Sequence, residues 1–164
     1  MNKKSVIIAV VAVIAVVIAS YSVFFNNGNG NNTASSAKSV TNENGDMEIP
    51  ISGITDKASF YSYDELDSKM EVIAVKASDG TIRTAFNTCQ VCYSSGKGYY
   101  VQEGDYLVCQ NCGNKFGMDD VEVTKGGCNP VPIYDEQTKT NSDTIVIPNE
   151  FLKEAEVIFK NWKV

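Results

Sequence analysis

The 164-residue chain contains no histidine. That excludes haem sites with a proximal imidazole, Rieske-type centres and catalytic zinc built on His ligands, and it removes the imidazole that activates a serine nucleophile. Basic clusters are missing as well. The sequence has 14 Lys and Arg against 20 Asp and Glu; setting aside Lys3 and Lys4 leaves 12 basic against 20 acidic groups, a formal charge of −8. Phosphate recognition draws on clustered Lys and Arg, so nucleic acid and anionic headgroups are poor partners for this chain, whereas a cation suits it. No carboxylate pair or phosphate-binding loop stands out, and Gly96-Lys97-Gly98 lacks the flanking spacing of a P-loop. Hydrolase and kinase chemistry find no support, which leaves a redox or metal carrier ahead of an enzyme. Finally, no cysteine precedes Cys89, which argues against a lipid attached where the first apolar segment ends.

That apolar segment is the first positive feature. Val6 to Phe25 is interrupted only by Ser20, Tyr21 and Ser22, and twenty helical residues span about 30 Å, the thickness of a bilayer core. Residues 1–25 therefore read as a membrane anchor, with a secretory signal peptide, cleaved near Val17-Ile18-Ala19, as the alternative. Lys3 and Lys4 keep the N-terminus cytoplasmic and put the rest on the extracytoplasmic side of the cell membrane. Residues 26–46, rich in Asn, Gly, Ser and Thr, read as a flexible linker of roughly 25 Å root-mean-square span. Residues 47–164 remain to fold.

Within that domain the pattern is mainly β. Lys69 to Lys76 is rich in β-branched residues, and Thr81 to Phe86 alternates with period two. Asp79-Gly80 between them predicts a hairpin of 69–77 with 81–87, since both residues tolerate the positive φ that a tight turn demands. Further strands are expected at 58–63, around 121–124 and at 143–147, with 49–54 as a looser extended segment. The chain closes on an amphipathic pattern: Phe151, Leu152, Ala155, Ile158, Phe159 and Trp162 recur at helical spacing. Pro148-Asn149 marks its start, so a C-terminal α-helix of about 13 residues is expected.

Five cysteines carry the chemistry. Cys89 and Cys92 form one Cys-x-x-Cys unit, and Cys109 and Cys112 form a second, sixteen residues on. The intervening Gly98 to Val108 reads as strand, Glu103-Gly104-Asp105 turn and strand, which folds the second pair back onto the first in a zinc-ribbon-like hairpin. All-thiolate coordination suits iron–sulfur or zinc. The extracytoplasmic setting makes cross-hairpin disulfides a competing reading, and a single Cys-x-x-Cys acting in thiol–disulfide exchange is another. Five cysteines cannot all pair, which favours a metal. Cys128, in Lys125-Gly126-Gly127-Cys128-Asn129-Pro130, occupies a sharply turned loop. It could replace one of the four ligands, enlarge the site, stand by as a free thiol or simply be buried.

Residues 85 to 133 resemble the membrane iron–sulfur-containing FtrD-like family, a bacterial domain of otherwise unknown function. The shared pattern is Cys-x-x-Cys, a Gly-Tyr strand, a Glu-Gly-Asp turn, Cys-x-x-Cys-Gly and Gly-Gly-Cys-Asn-Pro. The resemblance implies that Cys89, Cys92, Cys109, Cys112 and Cys128 hold an iron–sulfur cluster or iron, with zinc as the alternative. Because relatives are associated with ferrous-iron uptake, it also implies a permease or redox partner in the same membrane.

Overall fold

The computed structural model describes residues 36–164, with side chains from Ser39 onward. The expected anchor at 1–25 lies outside the described residues, and among those described no helix is long and apolar enough to cross a membrane. Twelve strands follow in order: β1 (Ser36–Lys38), β2 (Val40–Thr41), β3 (Met47–Pro50), β4 (Ser59–Tyr63), β5 (Met70–Lys76), β6 (Ile82–Cys89), β7 (Tyr100–Glu103), β8 (Tyr106–Cys109), β9 (Lys115–Gly117), β10 (Pro130–Ile133), β11 (Lys139–Thr140) and β12 (Thr144–Ile147). Among the described residues one α-helix, α1 (Asn149–Ala155), follows the strands, with a 3-10 extension at Glu156–Phe159.

The strands make three sheets: β1-β4-β5-β6-β10, β11-β12-β3-β2 and β7-β8-β9. The first is the middle of the domain, and the reason is in β5. Every residue from Met70 to Val75 is buried, and successive side chains of a strand point to opposite faces. Met70, Val72 and Ala74 enter one apolar cluster together with Met47, Ile49, Ile145, Ile147 and Leu152, supplied by the four-stranded sheet and α1. Ile73 and Val75 enter a second cluster with Tyr100, Leu107, Cys109 and Phe116, supplied by the three-stranded ribbon. Neighbouring strands divide the same way, with Tyr61, Tyr63 and Phe86 on the first side and Phe60, Ala85 and Cys89 on the second. Burying one such side chain fully is worth about 1.5–3 kcal/mol, so covering both faces of β5 is a major part of what holds the layers together.

The expected hairpin is present, with Val72 opposite Phe86 and Lys76 opposite Ile82. Of its two turn residues Gly80 takes positive φ, 86°, and Asp79 does not. The Asp79 carboxylate instead accepts hydrogen bonds from the Thr81 amide and hydroxyl, at 2.9 and 2.6 Å. The strands expected at 58–63 and 143–147 are β4 and β12.

Other expectations need correction. No strand forms at 121–124. Val121 is drawn into the second core, Glu122 adopts φ of 65°, and the amides of Val123 and Thr124 turn back to the Asp120 carbonyl. A residue at that φ cannot continue a strand. Glu122 instead places its carboxylate on β6, where it accepts the Thr84 amide. The segment 49–54 is a strand only through Pro50 and then a 3-10 turn over Ile51–Gly53. The expected linker carries strands in its second half: β1 pairs in parallel with β4, and β2 pairs with β3 around a turn at Asn42–Gly45. Strand β10 escaped notice because Pro-Val-Pro-Ile cannot supply a full ladder, and it sits where such a sequence is tolerated, at the sheet edge.

The closing helix is shorter than 13 residues: seven α-helical residues give way to 3-10 geometry. Tertiary bonds hold its end: the Thr88 hydroxyl donates to the Ile158 carbonyl at 3.3 Å, and Trp162 Nε1 ties the tail to the Asn87 carbonyl at 2.7 Å. Asn149 does not cap the helix with its own side chain; Asp46 does so from the β2–β3 turn, accepting the Asn149 amide at 2.9 Å. That bond holds the Asp46 carboxyl below its usual range.

Two outcomes follow. Leu152→Ala empties a fully buried position and should cost about 2–5 kcal/mol in denaturant unfolding. Burial raises the Glu122 carboxyl from 4.5 to about 7, against the pull of Thr84. The native state then keeps a proton that the unfolded chain has released, so this group's contribution to stability is present below about pH 4.5 and is lost as pH rises to about 7. Glu122→Gln should flatten that slope in unfolding curves taken across this range.

Candidate metal centre

Three loops deliver the cysteines to one place. Cys89 ends β6, and its amide donates to the Gly98 carbonyl at 2.6 Å. The chain then turns so tightly that the Cys92 amide points at Cys89 Sγ, 3.4 Å away. Gly98 packs directly on the Cys92 backbone, and a Cβ there would overlap it. Strands β7 and β8 return the chain as expected, with Tyr100 opposite Cys109. The second knuckle closes when the Gly113 amide donates to the Cys109 carbonyl at 2.8 Å, a turn that needs the positive φ of 71° at Gly113. The third loop is bent by consecutive left-handed glycines, Gly126 and Gly127, with φ of 81° and 82°. It is pinned from both knuckles: the Gln90 amide donates to the Asn129 carbonyl at 3.1 Å, and Asn114 Nδ2 to the Cys128 carbonyl at 2.9 Å.

All five cysteines are free thiols. The sulfurs of Cys89, Cys92, Cys109 and Cys128 lie within 4.8 Å of one another. Cys112 is not in that group, although its sulfur sits 2.9 Å from Cys128 Sγ, while Cys128 Sγ is also 3.3 Å from Cys89 Sγ. The sequence suggests two Cys-x-x-Cys pairs with Cys128 as an accessory; the structure places Cys128 among the clustered sulfurs and Cys112 at the rim. Burial agrees with this arrangement. Cys89, Cys92 and Cys109 are buried, Cys128 is partly covered and Cys112 is exposed.

The electrostatics divide the thiols. Burial pushes Cys92 up to about 11 and raises Cys109 and Cys128 as well. Cys112 is lowered to about 7, first by the Cys128 thiol and then by the Asn114 amide. Burial also acts on Cys89, but hydrogen bonds from Tyr100 and from the Cys92 and Val91 amides outweigh it and bring that thiol down. The knuckle amides thus favour thiolate where the apolar surroundings oppose it.

This donor set fits a metal. Metal–thiolate bonds of about 2.3 Å put tetrahedral ligands about 3.8 Å apart, and four sulfurs within 4.8 Å of one another match a single tetrahedral iron or zinc closely. A cluster of several irons takes the same all-sulfur donors at wider separation, and Cys112 supplies a fifth sulfur at the rim.

Sequence reasoning missed a group of residues behind the sulfurs. Tyr100, 1% exposed, directs its hydroxyl to Cys128 Sγ at 3.6 Å. Asn87 holds the Tyr100 backbone, and buried Glu71 holds Asn87. The only hint in the sequence is a polar residue amid apolar ones: Glu71 beside Val72 and Asn87 beside Phe86.

The family model described as "Membrane iron-sulfur containing protein FtrD-like" matches residues 54–159. This span includes all five cysteines and the closing helix. No curated protein and no solved structure matches.

The placement of the sulfurs ranks the cysteines. With cobalt(II) as an optical probe of thiolate binding, Cys128→Ser should weaken binding about tenfold or more, and Cys112→Ser should weaken it less. Equal losses would put Cys112 on the same footing as the inner four.

Proposed function

Because the chain belongs to the FtrD-like family of membrane iron–sulfur-containing proteins, we propose that it is a membrane-anchored, extracytoplasmic carrier. A thiolate-bound iron centre, either an iron–sulfur cluster or a single iron, lets it pass electrons or metal to a permease or redox partner in the same membrane. The convergence of four cysteine sulfurs within 4.8 Å, inside the matched span, carries this reading. The apolar run from Val6 to Phe25 after Lys3 and Lys4 supports the anchor and its orientation.

Iron bound among thiolates supplies one-electron chemistry. The protein's own residues provide the rest. Cys89, Cys92, Cys109 and Cys128 supply the ligand sulfurs from three loops whose geometry is set by backbone hydrogen bonds. Amides of the knuckles stabilise thiolate charge, and Phe116, Leu107 and Val121 keep water from the inner side. Cys112, exposed and in contact with Cys128, is the sulfur nearest an approaching partner and the natural point of exchange if metal is the cargo.

A second reading has its own support. Four sulfurs at single-ion spacing also suit a structural zinc that staples the ribbon to the central sheet. The two readings part on composition. Full-length protein purified without oxygen should contain iron, with acid-labile sulfide if the centre is a cluster, and should absorb in the visible range. Stoichiometric zinc with no visible absorption, and unfolding on chelation, would overturn the carrier reading in favour of the staple.

A further inference from the structure

Tyr100 is buried deeply, yet the hydrogen-bonding partner of its hydroxyl is a sulfur, Cys128 Sγ at 3.6 Å. A buried tyrosine usually directs its hydroxyl to oxygen or nitrogen. Phenylalanine would fill the same space among Leu107, Phe116 and Ile73 without introducing a polar atom, so the packing alone does not call for the hydroxyl.

The position of that hydroxyl is fixed from behind. Asn87 Oδ1 accepts the Tyr100 amide at 2.7 Å, while Asn87 Nδ2 donates to the Tyr100 carbonyl at 3.2 Å. One side-chain amide therefore grips both backbone polar groups of Tyr100. The same Nδ2 donates to the Glu71 carboxylate at 2.6 Å, and Lys163 Nζ reaches that carboxylate at 3.1 Å. Asn87 and Glu71 are 0% and 3% exposed. Burying an amide and a carboxylate is costly unless each is hydrogen-bonded; here the carboxylate bonds the amide, and the amide bonds the tyrosine backbone.

Resting on the reading of an iron centre held by these cysteines, we propose that Tyr100 sets the electron affinity of the site by donating a hydrogen bond to the ligand sulfur of Cys128. Asn87 and Glu71 act as the positioning residues that aim it. A hydrogen bond to a ligating sulfur withdraws charge from it and favours the more negative, reduced form of the centre. Removing the donor therefore makes the centre harder to reduce.

The test is Tyr100→Phe in the full chain, purified in detergent without oxygen and reconstituted with ferrous iron and sulfide. Iron per chain should be unchanged and the midpoint potential lower. At the wild-type midpoint, the ratio of reduced to oxidised centre should fall about threefold or more. An unchanged potential at equal iron content overturns the proposal. A separate measurement covers the case in which iron does not bind, which would count against the carrier reading itself. Loaded with cobalt(II), Tyr100→Phe should move the sulfur-to-metal charge-transfer band to lower energy than in the wild type, because the sulfur has regained the charge it shared. Coincident bands would overturn the hydrogen bond whatever metal the protein carries.

Discussion

Strand β5 has no solvent face, and the domain is arranged to satisfy that condition. Met70, Val72 and Ala74 on one side, and Ile73 and Val75 on the other, must each be covered by something. The four-stranded sheet and α1 cover the first side. The ribbon of β7, β8 and β9, whose strands are only three or four residues long, covers the second. The ribbon needs the sheet as much as the sheet needs the ribbon. The cysteines sit at this mutual contact: Cys89 and Cys109 are part of the second core as well as part of the sulfur group. Core and site are continuous, so a metal among these sulfurs would bind to a surface that packing has already ordered.

The polar residues within that contact have a similar double role. Glu71 and Asn87 lie on neighbouring strands of the central sheet, point toward the ribbon and hold its first strand by the backbone of Tyr100. Lys163, from beyond the closing helix, reaches the same carboxylate, and Trp162 ties the tail to Asn87. The C-terminal segment therefore braces the reverse side of the site as well as covering the first core. The match to the FtrD-like family extends through Phe159, consistent with the closing helix belonging to the same unit as the cysteine ribbon.

Much of this was legible in the sequence where the signal was local. The β5–β6 hairpin announced itself by two β-rich runs around Asp79-Gly80, and the ribbon by two Cys-x-x-Cys units spaced by a strand–turn–strand pattern. What escaped notice was decided at long range. The 121–124 segment has strand-like composition, yet Val121 is claimed by a core that only the folded ribbon creates, and Glu122 substitutes for a ladder partner on β6. The cap of α1 comes from Asp46, about a hundred residues earlier, so no local pattern at Asn149 could reveal it. Cys128 was visible as a glycine-turned cysteine, but its place among the inner sulfurs depends on where two other loops end. Its exchange of rank with Cys112 could not be read from spacing.

That exchange gives the site an inside and an outside. Three of the sulfurs face apolar side chains, whereas Cys112 faces solvent and touches the inner group through Cys128. Oxidant, chelator or partner protein arriving from solution meets the rim thiol before any of the buried ones. An occupant held by the inner four would thereby be shielded in a directional way, approached past one thiol on an exposed loop.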